Sequence, residues 1–345
     1  MNLERYQRQL ALPEINLADQ KHLSETRLLI VGAGGLGAAA LPYLSASGIG
    51  HITIYDHDNV STSNLHRQTI YKDTQADQNK AERAAQYACE LNPDTEVIAH
   101  TEKLTADTTL ENFDLILDGS DNFETKTLLN HISIENKTPL ISASVNQWQG
   151  QIGIFAGYAK NAPCYHCLFP QLPGDARNCN EAGILGTSAG ITGLYQAHLA
   201  LCFLLGINDC APGTLLTFDF KTFRIQKLTL DKDPSCKHCQ NAAQTWTPRT
   251  KEKTMQDMIT YEALQKKEYV IIDVRTDDEV KADPIPDDNV IHMELSTIPE
   301  HHGELPGDKL LAFVCAGNIR SVQAADYLAA RGYNKTIVLD KFSVK

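Results

Sequence analysis

Arg27-Leu-Leu-Ile-Val-Gly32-Ala33-Gly34-Gly35-Leu36-Gly37 starts as an apolar run and ends on glycines spaced G-x-G-x-x-G. A run of this kind is typical of a parallel strand buried on both faces. The glycines lead into an Ala-rich helix to about Ser47, and His51–Asp56 reads as the next strand. Strand, glycine turn, helix, strand is a βαβ unit, whose crossover is right-handed. The alternation continues with a helix near Lys80–Leu91, a strand near Val97–His100, the strand Leu115–Asp118 and a helix near Phe123–Lys137. Pro139–Ala143, Gln151–Phe155 and Leu215–Phe220 read as later strands, with a helix over Thr192–Leu205 between the last two. The pattern predicts an α/β fold around a doubly wound, Rossmann-like, mainly parallel sheet.

Residues 240–256 (QNAAQTWTPRTKEKTMQ) are polar and aperiodic and contain Pro248, the signature of a linker. As flexible chain they would reach roughly 20–25 Å. Beyond them βα alternation restarts with strands at Val270–Asp273, Leu310–Val314 and Thr336–Leu339 and a helix at Ser321–Arg331. The expected domains are therefore 1–240, a linker 241–256, and a small α/β domain at 257–345. A chain of 345 residues with 42% apolar and 21% charged residues has ample material for two cores, which excludes disorder along its whole length.

The net charge of −12 is shared: residues 1–254 carry 21 basic and 27 acidic groups, residues 255–345 carry 10 and 16. Neither part has the basic excess that phosphate backbones demand, so nucleic acid is not an expected partner. The longest apolar run, Leu194–Ile207, is about 14 residues, short for a bilayer, and no membrane partner is expected. Charges in MNLERYQRQL stand where a secretory signal needs apolar residues, which points to the cytoplasm.

Glycines between a strand and a helix let the backbone approach phosphates at a helix N-terminus, and Asp56 at the end of the next strand can accept ribose hydroxyls. That alone leaves NAD and ATP open. The following residues add an ordered set: Asp58, then Ser63-Asn64-Leu65-His66-Arg67-Gln68, then Lys80, then Asp121-Asn122 just past the strand Leu115–Asp118. Arg67 and Lys80 can neutralise a triphosphate, and Asp121 can hold Mg²⁺. Hydride transfer needs neither. Singly, the two cations read as a solvated helix face and Asp121-Asn122 as a helix cap.

With Arg5-Tyr-Gln-Arg8-Gln added, these motifs resemble the MoeB/ThiF/HesA family, relatives of the ubiquitin-activating enzymes, over about residues 1–240. The resemblance implies MgATP binding and adenylation of the C-terminal glycine of a small ubiquitin-like carrier ending in Gly-Gly, of the MoaD or ThiS type. It places Gly35, Asp56, Ser63, Asn64, Arg67, Lys80 and Asn122 around ATP, where the motif residues Gly32, Gly34, Gly37 and Asp58 are also expected to bind nucleotide, and makes Asp121 the metal-binding residue essential for adenylation. Arg8 matches an arginine inserted into the partner subunit's site, which implies a homodimer. The stretch before Lys80 reads Asp77-Gln-Asn where the family has Gly-x-Pro.

Cys164-Tyr-His-Cys167 and Cys236-Lys-His-Cys239 are two C-x-x-C pairs that together supply the four thiolates of a closed tetrahedral Zn²⁺ site, leaving His166 and His238 unnecessary as ligands. A redox C-x-x-C would sit at a helix start; the second pair instead follows a polar turn. Cys89, Cys202 and Cys210 read as packing residues. Cys179, in the family's Cys-x-x-Ala-Gly context, is expected to be a thiol that can bond to the carrier. Cys315 ends a strand and opens Cys-Ala-Gly-Asn-Ile-Arg-Ser before a helix, a setting in which backbone N–H groups stabilise a thiolate or persulfide. With Asp273-Val274-Arg275, the loop resembles the rhodanese active loop, over about residues 258–340. Asn318 stands where that loop has glycine, and the chain ends without the usual terminal Gly-Gly and tryptophan-bearing helix.

Together these readings describe a carrier adenylyltransferase joined to a sulfurtransferase, serving molybdenum-cofactor or thiamine biosynthesis. Cys315 would carry a persulfide loaded by a cysteine desulfurase or another donor. Two rivals stand beside this: an NAD-dependent oxidoreductase, and a non-catalytic carrier-binding scaffold.

Overall fold

The computed structural model describes residues 3–12, 14–108, 110, 112–170, 183–207, 210–249, 258–329, 331–341 and 344. The chain forms two compact units, one over Leu23–Thr250 and one that joins the segment up to His22 to the chain from Lys251 onward. The N-terminal segment thus clusters with the C-terminal unit, where the sequence motifs group it with the nucleotide fold.

In the larger unit, β1 (Arg27–Val31), β2 (His51–Tyr55), β3 (Glu96–His100), β4 (Leu115–Asp118) and β5 (Leu140–Asn146) are parallel. β6 (Gln149–Phe155), β7 (Thr214–Asp219) and β8 (Arg224–Thr229) extend the sheet antiparallel, in the order β3-β2-β1-β4-β5-β6-β7-β8. The apolar runs of β1 and β4 become its buried centre. Between them the winding direction reverses, and in open α/β sheets ligands bind at such a switch point. β8 escapes the sequence reading because every one of its residues is exposed, so it carries no buried alternation.

The helix expected from Thr192 begins six residues earlier and spans Gly186–Leu205. Its first turns (Gly-Thr-Ser-Ala-Gly) have weak intrinsic propensity, and packing against the Gly35–Ala46 helix overrides it. At 20 residues it is long and apolar enough to cross a membrane, but 61% of that window is buried inside the protein. The expected linker is not all free chain. Gln244 bridges Ala159, Trp246 stacks on Phe203, and Arg249 reaches the Leu204 carbonyl, so residues 244–249 lie along the larger unit.

The second unit holds five parallel strands in the order β11-β10-β12-β13-β9: β9 (Met258–Ile259), β10 (Tyr269–Asp273), β11 (Val290–His292), β12 (Leu310–Val314) and β13 (Thr336–Leu339). The two short edge strands, β9 and β11, carry too few residues for a period to show. The helix after β12 spans Ile319–Ala329, slightly ahead of the expected Ser321–Arg331.

Candidate functional site

A cleft of about 1640 Å³ opens at the carboxyl ends of β1 and β4. The glycine turn forms its floor, and the four glycines divide by role. Gly32 has φ +93°, and a Cβ there would press on the Gly119 backbone; one at Gly37 would overlap the Gly32 carbonyl. These two close the turn against the sheet. At Gly34 a Cβ would meet only Gln68 Nε2, at 3.5 Å; at Gly35 it would come within 3.2 Å of Ala189 Cβ, beside Arg67, and both glycines line the cleft. That pair leaves backbone open to a ligand at the helix N-terminus.

Asp56 tightens this floor. Its Oδ2 accepts the Ala33 N–H at 2.7 Å and its Oδ1 the Asp58 N–H at 2.9 Å. Burial raises its carboxyl, outweighing the pull of Lys80 and the two amides. Lys80 is 4% exposed and donates to Asp58 Oδ2 at 2.9 Å. Burial raises the Asp58 carboxyl too, but the hydrogen bond and charge of Lys80 outweigh it, and the group stays below its ordinary value. The unusual Asp77-Gln-Asn stretch keeps the loop: Asp77 takes the left-handed conformation at φ +64°, and Asn79 caps the Lys80–Leu91 helix through Ala81 and Glu82 N–H. Asn64 Oδ1 accepts from Arg67 Nη2 at 2.9 Å, which aims the guanidinium along the cleft wall with Ser63.

Asp121 is exposed on the opposite lip, and Asn122 beside it caps the Phe123–Glu135 helix by accepting the Thr125 N–H. The capping reading of this pair therefore holds for Asn122 while both residues still line the cleft. Beneath them lies a network that sequence reasoning missed. Asp118, fully buried at the end of β4, accepts from Lys126 Nζ at 2.8 Å, from Ser142 Oγ and from Ser120. Lys126 also donates to the Ala143 carbonyl at 2.7 Å, so it ties β4 to β5 under the lip that carries Asp121. Lys126→Met is expected to cost about 3–5 kcal/mol, because it strands a buried carboxylate; denaturant unfolding reads this directly.

Four cysteines meet on the same unit. Cys164 and Cys236 are 3.6 Å apart, Cys167 and Cys239 3.6 Å, and Cys164 and Cys167 3.9 Å between sulfurs. All four Sγ atoms lie within 4.8 Å of one another. Ligands at Zn–S ≈ 2.3 Å in a tetrahedron would sit about 3.8 Å apart, so the cluster is sized for such an ion and not for disulfides. A hydrogen bond with Cys164 pulls the Cys167 thiol down to about 5, while burial and neighbouring sulfurs push Cys239 up to about 12. The rings of His166 and His238 stack at 3.8 Å, outside the cluster. Of the cysteines read as packing residues, Cys202 is buried but Cys89 is exposed on its helix. Cys179 lies outside the described residues.

In the second unit, Cys315 is 1% exposed at the end of β12. Its Sγ accepts the Ser321 N–H at 3.3 Å, one of the unpaired donors of the Ile319–Ala329 helix, and lies 3.4 Å from Ser321 Oγ. Asn318 adopts φ +63°, so asparagine fills the place of glycine without losing the loop. Arg275 forks onto Asp273 at the end of the neighbouring β10 and is buried with it. Arg320, the last loop residue before Ser321, forks onto Glu279 with two bonds of 2.7 Å. Glu279 was not legible as a partner, since only the fold brings its helix to the loop. Hydrogen bonds from Arg320 pull its carboxyl down to about 2, against burial and with help from Thr276. The pair stabilises the unit above the ordinary carboxylate pKa and is lost as pH falls toward 2. Glu279→Gln should therefore lower Tm at pH 7, and the gap to the native chain should narrow as pH falls below about 4.5.

The comparisons with known proteins agree with this arrangement. The ThiF family profile matches residues 6–238 and the rhodanese-like domain profile residues 259–343. A sulfur carrier protein adenylyltransferase from Thermus thermophilus is 36% identical over 269 residues, 76% of this chain and 96% of that protein. The adenylyltransferase and sulfurtransferase MOCS3 of Culex quinquefasciatus is 38% identical over 245 residues, 69% of this chain but 56% of that protein. The aligned region thus spans little more than half of this longer relative. Among solved structures, Escherichia coli MccB with ATP superposes with TM-score 0.61 at 18% identity, over 69% of this chain and 75% of that one, a likeness of fold. The chain belongs to the ThiF family, and it carries a rhodanese-like domain at its C-terminal end.

Proposed function

We propose that the protein adenylates the C-terminal glycine of a small ubiquitin-like sulfur carrier and then delivers sulfur to it, in molybdenum-cofactor or thiamine biosynthesis. What carries this reading is the convergence of the open glycines Gly34 and Gly35, Arg67, Lys80 and Asp121 on one cleft, in a chain that also holds a rhodanese-type cysteine loop. The names of the relatives, a sulfur carrier protein adenylyltransferase and MOCS3, support the same substrate class.

In the first step a carboxylate oxygen of the carrier attacks the α-phosphorus of ATP, and pyrophosphate leaves. The protein needs little covalent chemistry here; positioning and charge stabilisation dominate. Gly34 and Gly35 let the backbone approach the phosphates, and Asp56 holds the ribose. Arg67 and Lys80 face the departing pyrophosphate, so Lys80 exchanges its Asp58 partner for phosphate oxygen. Asp121 holds Mg²⁺, which when bound offsets the charge of the phosphates. Arg8 of one copy completes the cleft of the other in a cytoplasmic homodimer.

In the second step the terminal sulfur of a Cys315 persulfide, loaded by a cysteine desulfurase or another persulfide donor, attacks the acyl carbon of the adenylate. AMP leaves and an acyl disulfide forms. A second thiol, for which Cys179 is the candidate, attacks Cys315 Sγ. The carrier then departs as a thiocarboxylate, and the two cysteines are left as a disulfide. Arg320 and the Ser321 N–H stabilise the sulfur anion.

Zn²⁺ held by Cys164, Cys167, Cys236 and Cys239 plays no chemical part and fixes the chain beside the Tyr165–Leu168 turn. Cys239→Ala is expected to lose one zinc per chain and to lower Tm by about 5–10 °C, roughly 2–3 kcal/mol. Full zinc content at native stability would remove this assignment. The function itself is tested by incubating candidate diglycine carriers with protein, MgATP and a persulfide donor. Intact-mass analysis should show sulfur replacing one carboxylate oxygen; carriers recovered unchanged, with no pyrophosphate released, would overturn the reading.

A further inference from the structure

The helix that follows the Cys315 loop carries a polar side chain whose partners lie more than 300 residues away in sequence. Gln323, 5% exposed, donates from Nε2 to the carbonyl oxygens of Leu10 and Ile15. Two carbonyl acceptors fix the orientation of the amide, because its own oxygen cannot face them. All three residues belong to one compact unit. Leu10 ends the short Gln7–Leu10 turn, and Leu3, Tyr6, Leu10 and Ile15 are buried, so the inner face of this segment is fully engaged. Arg8, on the same turn, is exposed on the other face. Gln323 also sits two residues beyond Ser321, whose N–H meets Cys315 Sγ.

We propose that Gln323 is a positioning residue: by clamping the carbonyls of Leu10 and Ile15 it fixes the presentation of Arg8, so that the helix bearing the sulfur loop also sets the rate of adenylation. The proposal rests on the role given above to Arg8. It makes the C-terminal unit a structural requirement of the first step as well as the agent of the second. The coupling needs no change in the nucleotide cleft, since the clamp acts only on the N-terminal segment.

The test uses the full chain and two substitutions, one of equal length and one longer by a single atom. Gln323→Glu is isosteric but turns the donor into an acceptor facing two carbonyls. Gln323→Lys restores donors to both. Carrier-dependent ATP–pyrophosphate exchange should fall about tenfold in the Glu variant, in keeping with loss of a buried hydrogen-bonded pair. The Lys variant should recover most of it. An Arg8→Ala/Gln323→Glu double variant should be no slower than Arg8→Ala alone, whereas a loss of general stability would multiply the two defects. Amide hydrogen exchange over residues 3–12 should quicken in the Glu variant only. Native exchange rates in Gln323→Glu, equal defects in the Glu and Lys variants, or multiplying defects would each overturn the proposal. If the native chain releases no pyrophosphate with any carrier, the adenylation reading fails instead, and the amide exchange of residues 3–12 still reports whether Gln323 holds the segment.

Discussion

Asp121→Ala should abolish carrier-dependent ATP–pyrophosphate exchange, a loss of about 10³-fold or more, in a protein that folds normally. The size follows from the proposed step: charge gathers on the phosphates as pyrophosphate departs, and Asp121 is the carboxylate that would hold the metal offsetting it. The normal fold follows from the surroundings. Asp121 is exposed, the helix behind it is capped by Asn122, and the ground beneath is held by Lys126 on Asp118. The cap and the buried network remain without the Asp121 carboxylate, so the variant should still fold, with a change in unfolding small beside the loss of exchange. Exchange at the native rate would take Asp121 out of the mechanism.

A second large effect is expected at the other centre. Cys315→Ser should reduce thiocarboxylate formation from a persulfide donor by about 10³-fold or more, because a serine oxygen offers no thiolate to accept the sulfane sulfur. The substitution is nearly isosteric, and the Ser321 N–H that meets Sγ can meet a hydroxyl as well. Circular dichroism and Tm should therefore stay close to native while the sulfurated carrier disappears from the mass spectrum. Undiminished product would mean that sulfur reaches the adenylate without passing through this loop.

How much of this was legible follows from where the information sits. β1, β4 and β12 announce themselves because strands buried on both faces are apolar without interruption, and they appear where expected. β8 is exposed throughout, and β9 and β11 have two and three residues, so neither burial nor period marks them. The Gly186 start of the long helix is hidden by Gly, Ser and Thr, whose weak propensity is overruled by a neighbour distant in sequence. The site divides in the same way. Arg67, Lys80, Asp121 and the four paired cysteines are legible because their chemistry needs particular residues at short spacing. Asp118–Lys126, Glu279–Arg320 and Gln323 with Leu10 depend on helix ends meeting loops, and no local pattern encodes that. At Asp77 and Asn318 the residue type departs from glycine, yet the positive φ persists, because Asn and Asp tolerate that region best among side-chain-bearing residues.

The burial of the four-cysteine cluster has a consequence for a chain that handles reactive sulfur. Cys164, Cys236 and Cys239 are 0%, 6% and 2% exposed and Cys167 is half-buried, so the four sulfurs face one another more than solvent. An ion held by all four thiolates would leave none of them a free nucleophile, whereas Cys315, equally buried at 1% exposed, has no such ligand role.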